Sequence, residues 1–361
     1  MSALREDIIE LIAQEGPITL ERYMAIALSH PTKGYYMTRD PFGAGGDFIT
    51  APEISQMFGE LVGLFAQEAW RAAGAPSPTR LVELGPGRGT LMADALRVAR
   101  IAPDFLAAID AHLVETSPAL EARQRQTLAA APTSVSWSAD VAQVPPGPAI
   151  IIANEFFDAL PVRHFVQTER GWSERLIGLD ESGALAFGVG EGVESDLAVA
   201  APEGSVIEIG AIGARIMRDI AARLVAQGGV LLVVDYGYAQ TALGETLQAV
   251  ARHAYVDPLE EPGEADLTTH VDFAALARAA TAVGATVQGP VTQGAFLRQL
   301  GVVERAEALK KRATQEQRAE IDVALARLTG AGDPKRDMGE LFKVIAVTHP
   351  DMPLLPGFFR E

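Results

Sequence analysis

Cysteine is missing from this chain altogether. Its absence excludes disulfides, zinc held by thiolates and thiol nucleophiles. Positive charge is scarce: 30 Lys and Arg stand against 47 Asp and Glu, a formal net charge of −17. A chain this acidic is poorly suited to gripping a nucleic-acid backbone, and it favours a basic partner or substrate. No apolar run approaches the roughly 18 residues of a membrane-spanning helix, so no membrane insertion is expected. The histidines are scattered and no H-E-x-x-H occurs, so no metal site is expected. No G-x-S-x-G elbow supports a hydrolase. The opening MSALREDIIELIAQEGPITL has acids in its first turns and no small-residue cleavage site. It reads as neither a secretory nor a transit peptide, and the expectation is a soluble, cytoplasmic protein.

What is present is 361 residues, 48% of them hydrophobic, enough for a sizeable core. Helical patterns at 4–14 and 20–28 are split by Gly16-Pro17. The Gly- and Pro-rich stretch HPTKGYYMTRDPFGAGGDFITAPEIS is too long for an ordinary connector. A helix pattern at 55–73 leads into alternating apolar strands and helices, the sign of a parallel sheet covered on both faces. Residues 163–189 alternate and turn as antiparallel hairpins do. The expected fold is therefore α/β and doubly wound. An N-terminal helical and loop extension covers 1–75, and the main domain covers 76–361. Insertions are expected at about 163–205, after the fourth strand, and 296–330, before the last strand.

The first strand runs into VELGPGRGT, residues 82–90. A glycine turn between strand and helix presents backbone N–H groups and a helix N-terminus to a ligand. The dinucleotide fingerprint is not met: Gly85 and Gly87 fit, but Thr90 occupies the third glycine position and Gly89 comes one residue early. Glu115 ends the second strand, where a carboxylate can accept both hydroxyls of a ribose. Asp140 follows the third strand, where a carboxylate can take an adenine amino group, with Ser138 and Ala139 as alternatives for that position. A plain structural turn and surface acids are the bland alternative. Three such positions in order at strand ends outline an adenosine pocket at the switch point of a doubly wound sheet.

This arrangement resembles the class I S-adenosylmethionine-dependent methyltransferases, whose first cofactor motif is E/D-x-G-x-G-x-G. The resemblance implies a seven-stranded Rossmann-like sheet. It also implies that S-adenosylmethionine is bound by Glu83, Gly85, Gly87, Gly89, Glu115, Asp140 and Asn154. In that family the end of the fourth strand faces the methyl group. Here it carries IIIANEFFDALPVRHF, with Asn154, Glu155 and Asp158 beside Phe156 and Phe157. Carboxylates among aromatic rings suit a cationic acceptor; an N-cap with ordinary core phenylalanines is the alternative.

GDFITAPEIS, NEFFDALPV, VVDYGY, GEADLTTHVDF and MGELFKVIAV extend the likeness over nearly the whole chain. In order and spacing they resemble the MidA-like family of mitochondrial complex I assembly methyltransferases and their bacterial relatives. That family implies a protein arginine methyltransferase acting on a subunit of respiratory complex I. Glu155 and Asp158 are then the expected catalytic carboxylates, with Asp266 and His270 as second candidates. Asp235 and Tyr236 are expected to line the same cleft. Asp47, Thr50 and Ser55 are expected to cover the cofactor, with Tyr35 and Tyr36 packing that cover. A non-catalytic S-adenosylmethionine-binding assembly factor and a small-molecule methyltransferase are the alternatives.

Overall fold

The computed structural model describes residues 3–38, 50–333 and 337–359. Its central sheet is built from β1 (Thr79–Leu84), β2 (Ile109–Val114), β3 (Val135–Ser138), β4 (Ala149–Asn154), β5 (Gly229–Tyr238), β6 (Thr286–Thr292) and β7 (Phe342–Thr348). The spatial order is β6-β7-β5-β4-β1-β2-β3. β7 runs antiparallel to both its neighbours, and the strands from β5 to β3 pair in parallel. The short strand Val271–Asp272 extends the sheet along the end of β5. The strand order reverses between β1 and β4, which opens a crevice at their carboxyl ends.

The strands read as continuous apolar runs because each face is covered. Ile150, Ile152, Leu232 and Val234 point into one core, with the helices Gln56–Ala72 and Thr90–Ala99. Ile151, Ala153, Leu231 and Val233 point into another, with the helices Ala211–Gln227 and Phe273–Thr281. The period-2 alternation of side chains thus feeds two layers of helices. The local signals act where they stand. Ser117 accepts a hydrogen bond from Leu120 N and is followed by Pro118 in the first turn of the helix Pro118–Thr127. Among the described residues between β6 and β7 there are three helices, the last of which, Gln315–Thr329, starts with a complete Thr314/Gln317 capping box.

A third apolar core lies apart from the central sheet. Leu4, Ile8, Leu20, Tyr23 and Met24 of the N-terminal helices pack on Ile177 and Leu185 of the hairpins and on Ala249 and Leu267. Thr19 and Ile18 pair with the strand Gly171–Leu179, so the N-terminus is stitched into the hairpin sheet. Ala249 and Leu267 belong to a small antiparallel sheet of Gln248–Ala251, Ala254–Val256 and Asp266–Thr268. Sequence patterning does not suggest this sheet. Its strands are three or four residues long, too short for alternation to show.

Candidate active site

A cavity of about 400 Å³ opens at the carboxyl ends of β1, β2, β4 and β5. Its two sides are built differently.

On one side stands the glycine turn. Gly85, Gly87 and Gly89 have φ of +57°, +52° and +80°, left-handed conformations that glycine adopts without the steric cost of a Cβ. Gly85 and Gly87 line the cavity; Gly89 instead caps the helix Thr90–Ala99. A Cβ at Gly85 would come within 3.1 Å of the Phe156 ring. Glu115 also lines the cavity. Its Oε1 accepts from Thr116 N and Ser117 N, both at 2.8 Å, and its Oε2 from Gln124 Nε2 at 2.9 Å. Burial nevertheless raises its pKa, against the pull of these donors.

Gln124 was not singled out in the sequence, yet it ties this side together. Its fully buried carboxamide also donates to Gly87 O at 2.8 Å and accepts from Trp137 Nε1 at 2.9 Å. The only sequence signal is its place about two helical turns past Ser117, on the face turned to the strands.

Several expected cofactor residues stand away from the cavity lining. Glu83 is buried beneath the turn, where the Met92 backbone hydrogen-bonds to it. Burial pushes its pKa up to about 8, so it braces the turn from behind. Asp140 is exposed and caps the short helix Val141–Gln143 by accepting from Ala142 N at 2.8 Å. Ser55 caps the helix Gln56–Ala72 through Met57 N at 3.2 Å. Asn154 Nδ2 donates to Glu155 Oε1 at 3.2 Å. Thr50 does line the cavity, at the start of the helix Ala51–Ile54. Asp47 lies outside the described residues.

On the other side, carboxylates gather. Glu155 follows β4 with φ +50°, a backbone conformation that costs a non-glycine residue about 1–2 kcal/mol. Val234 O accepts its N–H at 2.9 Å, and its Oε1 accepts from Ala51 N at 3.3 Å. Burial, then the neighbouring Asp158 charge, pushes its pKa up to about 7. Asp158 is buried too, and burial raises its pKa to about 6 against a hydrogen bond from Tyr236. Its Oδ1 has no hydrogen-bond partner. Asp266 accepts the Tyr36 hydroxyl at both oxygens, at 2.8 and 2.9 Å. Glu155, Asp158, Asp266, Tyr36 and Tyr236 all line the cavity.

Asp235 is fully buried and lies under this wall. Its Oδ2 accepts from the backbone N–H groups of Phe156, Phe157 and Asp158 at 3.0–3.3 Å, and its Oδ1 from Tyr236 N at 3.0 Å. Its role is to hold the segment after β4 in shape rather than to meet an acceptor. His270 also falls outside the cavity, which corrects its expected place among the acceptor-facing groups. Its ring packs edge-to-face with Tyr236, with centroids 5.5 Å apart, and it borders a separate cavity of about 50 Å³ beside Glu208. Burial lowers its pKa. Among the described residues no cluster of His, Asp and Glu has the makings of a metal site, and no helix is long and apolar enough to cross a membrane.

The cavity fits an adenosine-bearing cofactor. Glycine backbone forms its floor at Gly85 and Gly87, and the Glu115 carboxylate is held in place by three donors at the second strand end. Comparisons with known proteins agree. The family model described as "Putative S-adenosyl-L-methionine-dependent methyltransferase" matches residues 61–291. A curated relative from Danio rerio, named protein arginine methyltransferase NDUFAF7, mitochondrial, is 37% identical over 96% of this chain and 88% of its own length. The Homo sapiens relative of the same name is 36% identical over 93% of this chain and 82% of its own length. A crystal structure from Burkholderia thailandensis, bound to S-adenosyl-homocysteine, superposes with a TM-score of 0.87 at 29% identity. It covers 99% of this chain and 95% of that one. The relatives' names overturn one expectation. They are mitochondrial proteins, so the cytoplasmic assignment drawn from the opening residues does not stand; composition at one end of a chain is a poor guide to compartment. With the cavity, the sheet order and these likenesses together, the chain belongs to the family of S-adenosyl-L-methionine-dependent methyltransferases, and S-adenosylmethionine is its cofactor.

Proposed function

We propose that this enzyme is a protein arginine methyltransferase and that its acceptor is a subunit of respiratory complex I. The names of the relatives support the arginine acceptor. The observation that carries the reading is the wall of half-buried Glu155 and buried Asp158 and Asp266 facing one cavity. Carboxylates gathered largely out of water are costly unless a cation meets them, and a guanidinium offers planar paired donors to them.

S-adenosylmethionine, when bound, supplies a methyl group activated at a sulfonium. Glu115 would hold its ribose, and the backbone at Gly85 and Gly87 would admit it closely. Thr50 lines the same cavity. The chain's own work is then orientation and proton handling. Glu155 and Asp158 hold the guanidinium so that one nitrogen is left facing the methyl group. Methylation leaves that nitrogen with a surplus proton, which passes to Asp158 Oδ1, the carboxylate oxygen without a partner. A pKa raised to about 6 makes this group a better proton acceptor than an ordinary aspartate. Asp235, below, fixes the backbone that carries both.

The test is mass spectrometry of complex I subunits from cells with and without this gene, alongside transfer of radiolabelled methyl to the purified subunits. Loss of an arginine methyl mark in the deletion, restored by the gene, is expected. Unchanged marks and no labelling would overturn the reading.

A further inference from the structure

The small three-stranded sheet has two unlike faces. Ala249 and Leu267 face the third core. The other face lies along the cavity: Gln248, Val250, Tyr255, Asp266 and Thr268 all line it. Their register puts them in rows. Val250 pairs with Tyr255 on one side and with Asp266 on the other, and Gln248 pairs with Thr268. Tyr255, Val250 and Asp266 therefore form one line across the sheet, perpendicular to its strands, spanning about 10 Å at the usual strand spacing.

Burial changes steeply along that line. Tyr255 is 73% exposed, whereas Asp266 is 5% exposed. A large ring standing in solvent at the mouth of a cavity, in line with a buried carboxylate at its depth, is not explained by packing. The strand Ala254–Val256 is the sheet's outer strand, exposed at all three residues. Exposed Asp257, Glu260 and Glu261 follow it. Exposed Arg252 and His253 form the turn before the strand, and the stretch after Tyr255 is acidic, with three carboxylates that complement a basic segment. Two contacts fix the unit in place. The Tyr23 hydroxyl donates to Pro258 O, and the Tyr36 hydroxyl holds Asp266.

We propose that the row Tyr255–Val250–Asp266 is the entry track for the acceptor side chain, and that Tyr255 is the residue that engages the acceptor at the surface. The acceptor is an arginine on a flexible, basic stretch of protein. The Tyr255 ring covers its stem or its guanidinium at the rim, Val250 meets the methylenes, and Asp266 receives the cation on its way to Glu155 and Asp158. The depth of the track selects a long side chain, and the open rim selects a protruding segment over a free small molecule. This rests on the arginine-acceptor reading above.

The experiment measures radiolabelled methyl transfer from S-adenosylmethionine to the proteins of a whole mitochondrial lysate, over a series of lysate dilutions, for wild-type, Tyr255→Ala and Tyr255→Phe full-length enzyme. Cofactor affinity is titrated in parallel. Tyr255→Ala is expected to raise the lysate concentration for half-maximal labelling at least about fivefold, since an aromatic or cation–π contact of ~1 kcal/mol is lost. The maximal rate and the cofactor affinity should hold. Tyr255→Phe, which keeps the ring, should restore most of the loss. Equal half-maximal concentrations in wild type and Tyr255→Ala would overturn the track while leaving the arginine reading intact. A loss of cofactor affinity would place Tyr255 on the other side of the cavity and also overturn it. No labelling of any protein by the wild type would overturn the arginine reading and the track together.

Discussion

The two sides of the cavity are assembled in opposite ways. The cofactor side is more local: Gly85, Gly87, Glu115 and Gln124 come from β1, β2 and the helix that follows, and the bonds between them span at most 37 positions. The acceptor side is long-range. Tyr36 reaches Asp266 across 230 positions, and Ala51 reaches Glu155 across 104. A family can keep the first side fixed as part of the fold and rebuild the second from loops and extensions, which is how one sheet serves many acceptors.

The sharpest way to break this comparison is to damage the local side alone. Gly87→Val is expected to abolish cofactor binding while the protein stays folded. At φ +52° a β-branched residue is strained by about 1–2 kcal/mol, a small part of a domain's stability, but its side chain would project where the turn backbone meets the ligand. Calorimetry with S-adenosyl-homocysteine beside a thermal melt decides: normal affinity would show the turn to be structural only.

On the acceptor side the corresponding change is Glu155→Gln. It keeps volume and removes charge. A charge-assisted hydrogen bond is worth ~1.5–3 kcal/mol, so methyl transfer should fall at least about tenfold with cofactor affinity held. Asp158→Asn should act in the same direction and not additively, since both hold one group. Full activity in Glu155→Gln would remove this residue from the mechanism and shift attention to Asp266.

The same substitution has an opposite effect on stability, with a defined pH window. Glu155 has a folded pKa raised from 4.5 to about 7. Between those values the folded state holds a proton that the unfolded state has released, so stability falls as pH rises through this range. Above pH 7 the ionised carboxylate costs about 3 kcal/mol by 1.36 kcal/mol per unit. Glu155→Gln should therefore melt higher than wild type at pH 8 and equally at pH 4. A lower melting temperature at pH 8 would mean that the carboxylate is paired in the free enzyme.

Much of this was legible in the chain and the illegible part has a physical cause. The sheet announces itself because its strands are buried on both faces and read as apolar runs. Glu115 and the glycines are legible because a strand end fixes their place. Asp158 and Glu155 are legible by proximity to β4. Gln124 is not, because a buried amide leaves no pattern in a sequence; it is found only through what it bonds. Tyr255 escapes for another reason: its strand is too short to alternate. Asp266, expected through the family likeness, lies on another such strand, and its partner Tyr36 stands 230 positions away. Glu83, Ser55 and Asp140 stand away from the cavity lining, because a strand-end acid or a serine at a helix start can turn to brace or cap as readily as to face a ligand. Gln124 yields a further test of the local side. Gln124→Leu removes the bonds to Gly87 O and Glu115 together, and ~1 kcal/mol of net loss predicts about fivefold weaker cofactor binding. Unchanged affinity would show that Glu115 and the turn hold their positions unaided.

The smallest expected effect is also the finest probe of where the cofactor side ends. Asp140 stands after β3, exposed, with Oδ1 engaged by Ala142 N at 2.8 Å. Asp140→Asn keeps a good N-cap, because an asparagine side-chain oxygen accepts the same backbone N–H. The short helix Val141–Gln143 should survive and the melting temperature should move by less than about 1 °C, since Asn and Asp cap about equally well. What changes is the negative charge. If the cofactor ends at Glu115, affinity should shift less than about twofold, in keeping with the weak effect of an exposed charge. A drop of tenfold or more with an unchanged melting temperature would instead mean that Asp140 gives up its cap to meet the adenine when the cofactor binds. The local side would then extend one strand further, and the turn after β3 would be a part of the site that moves.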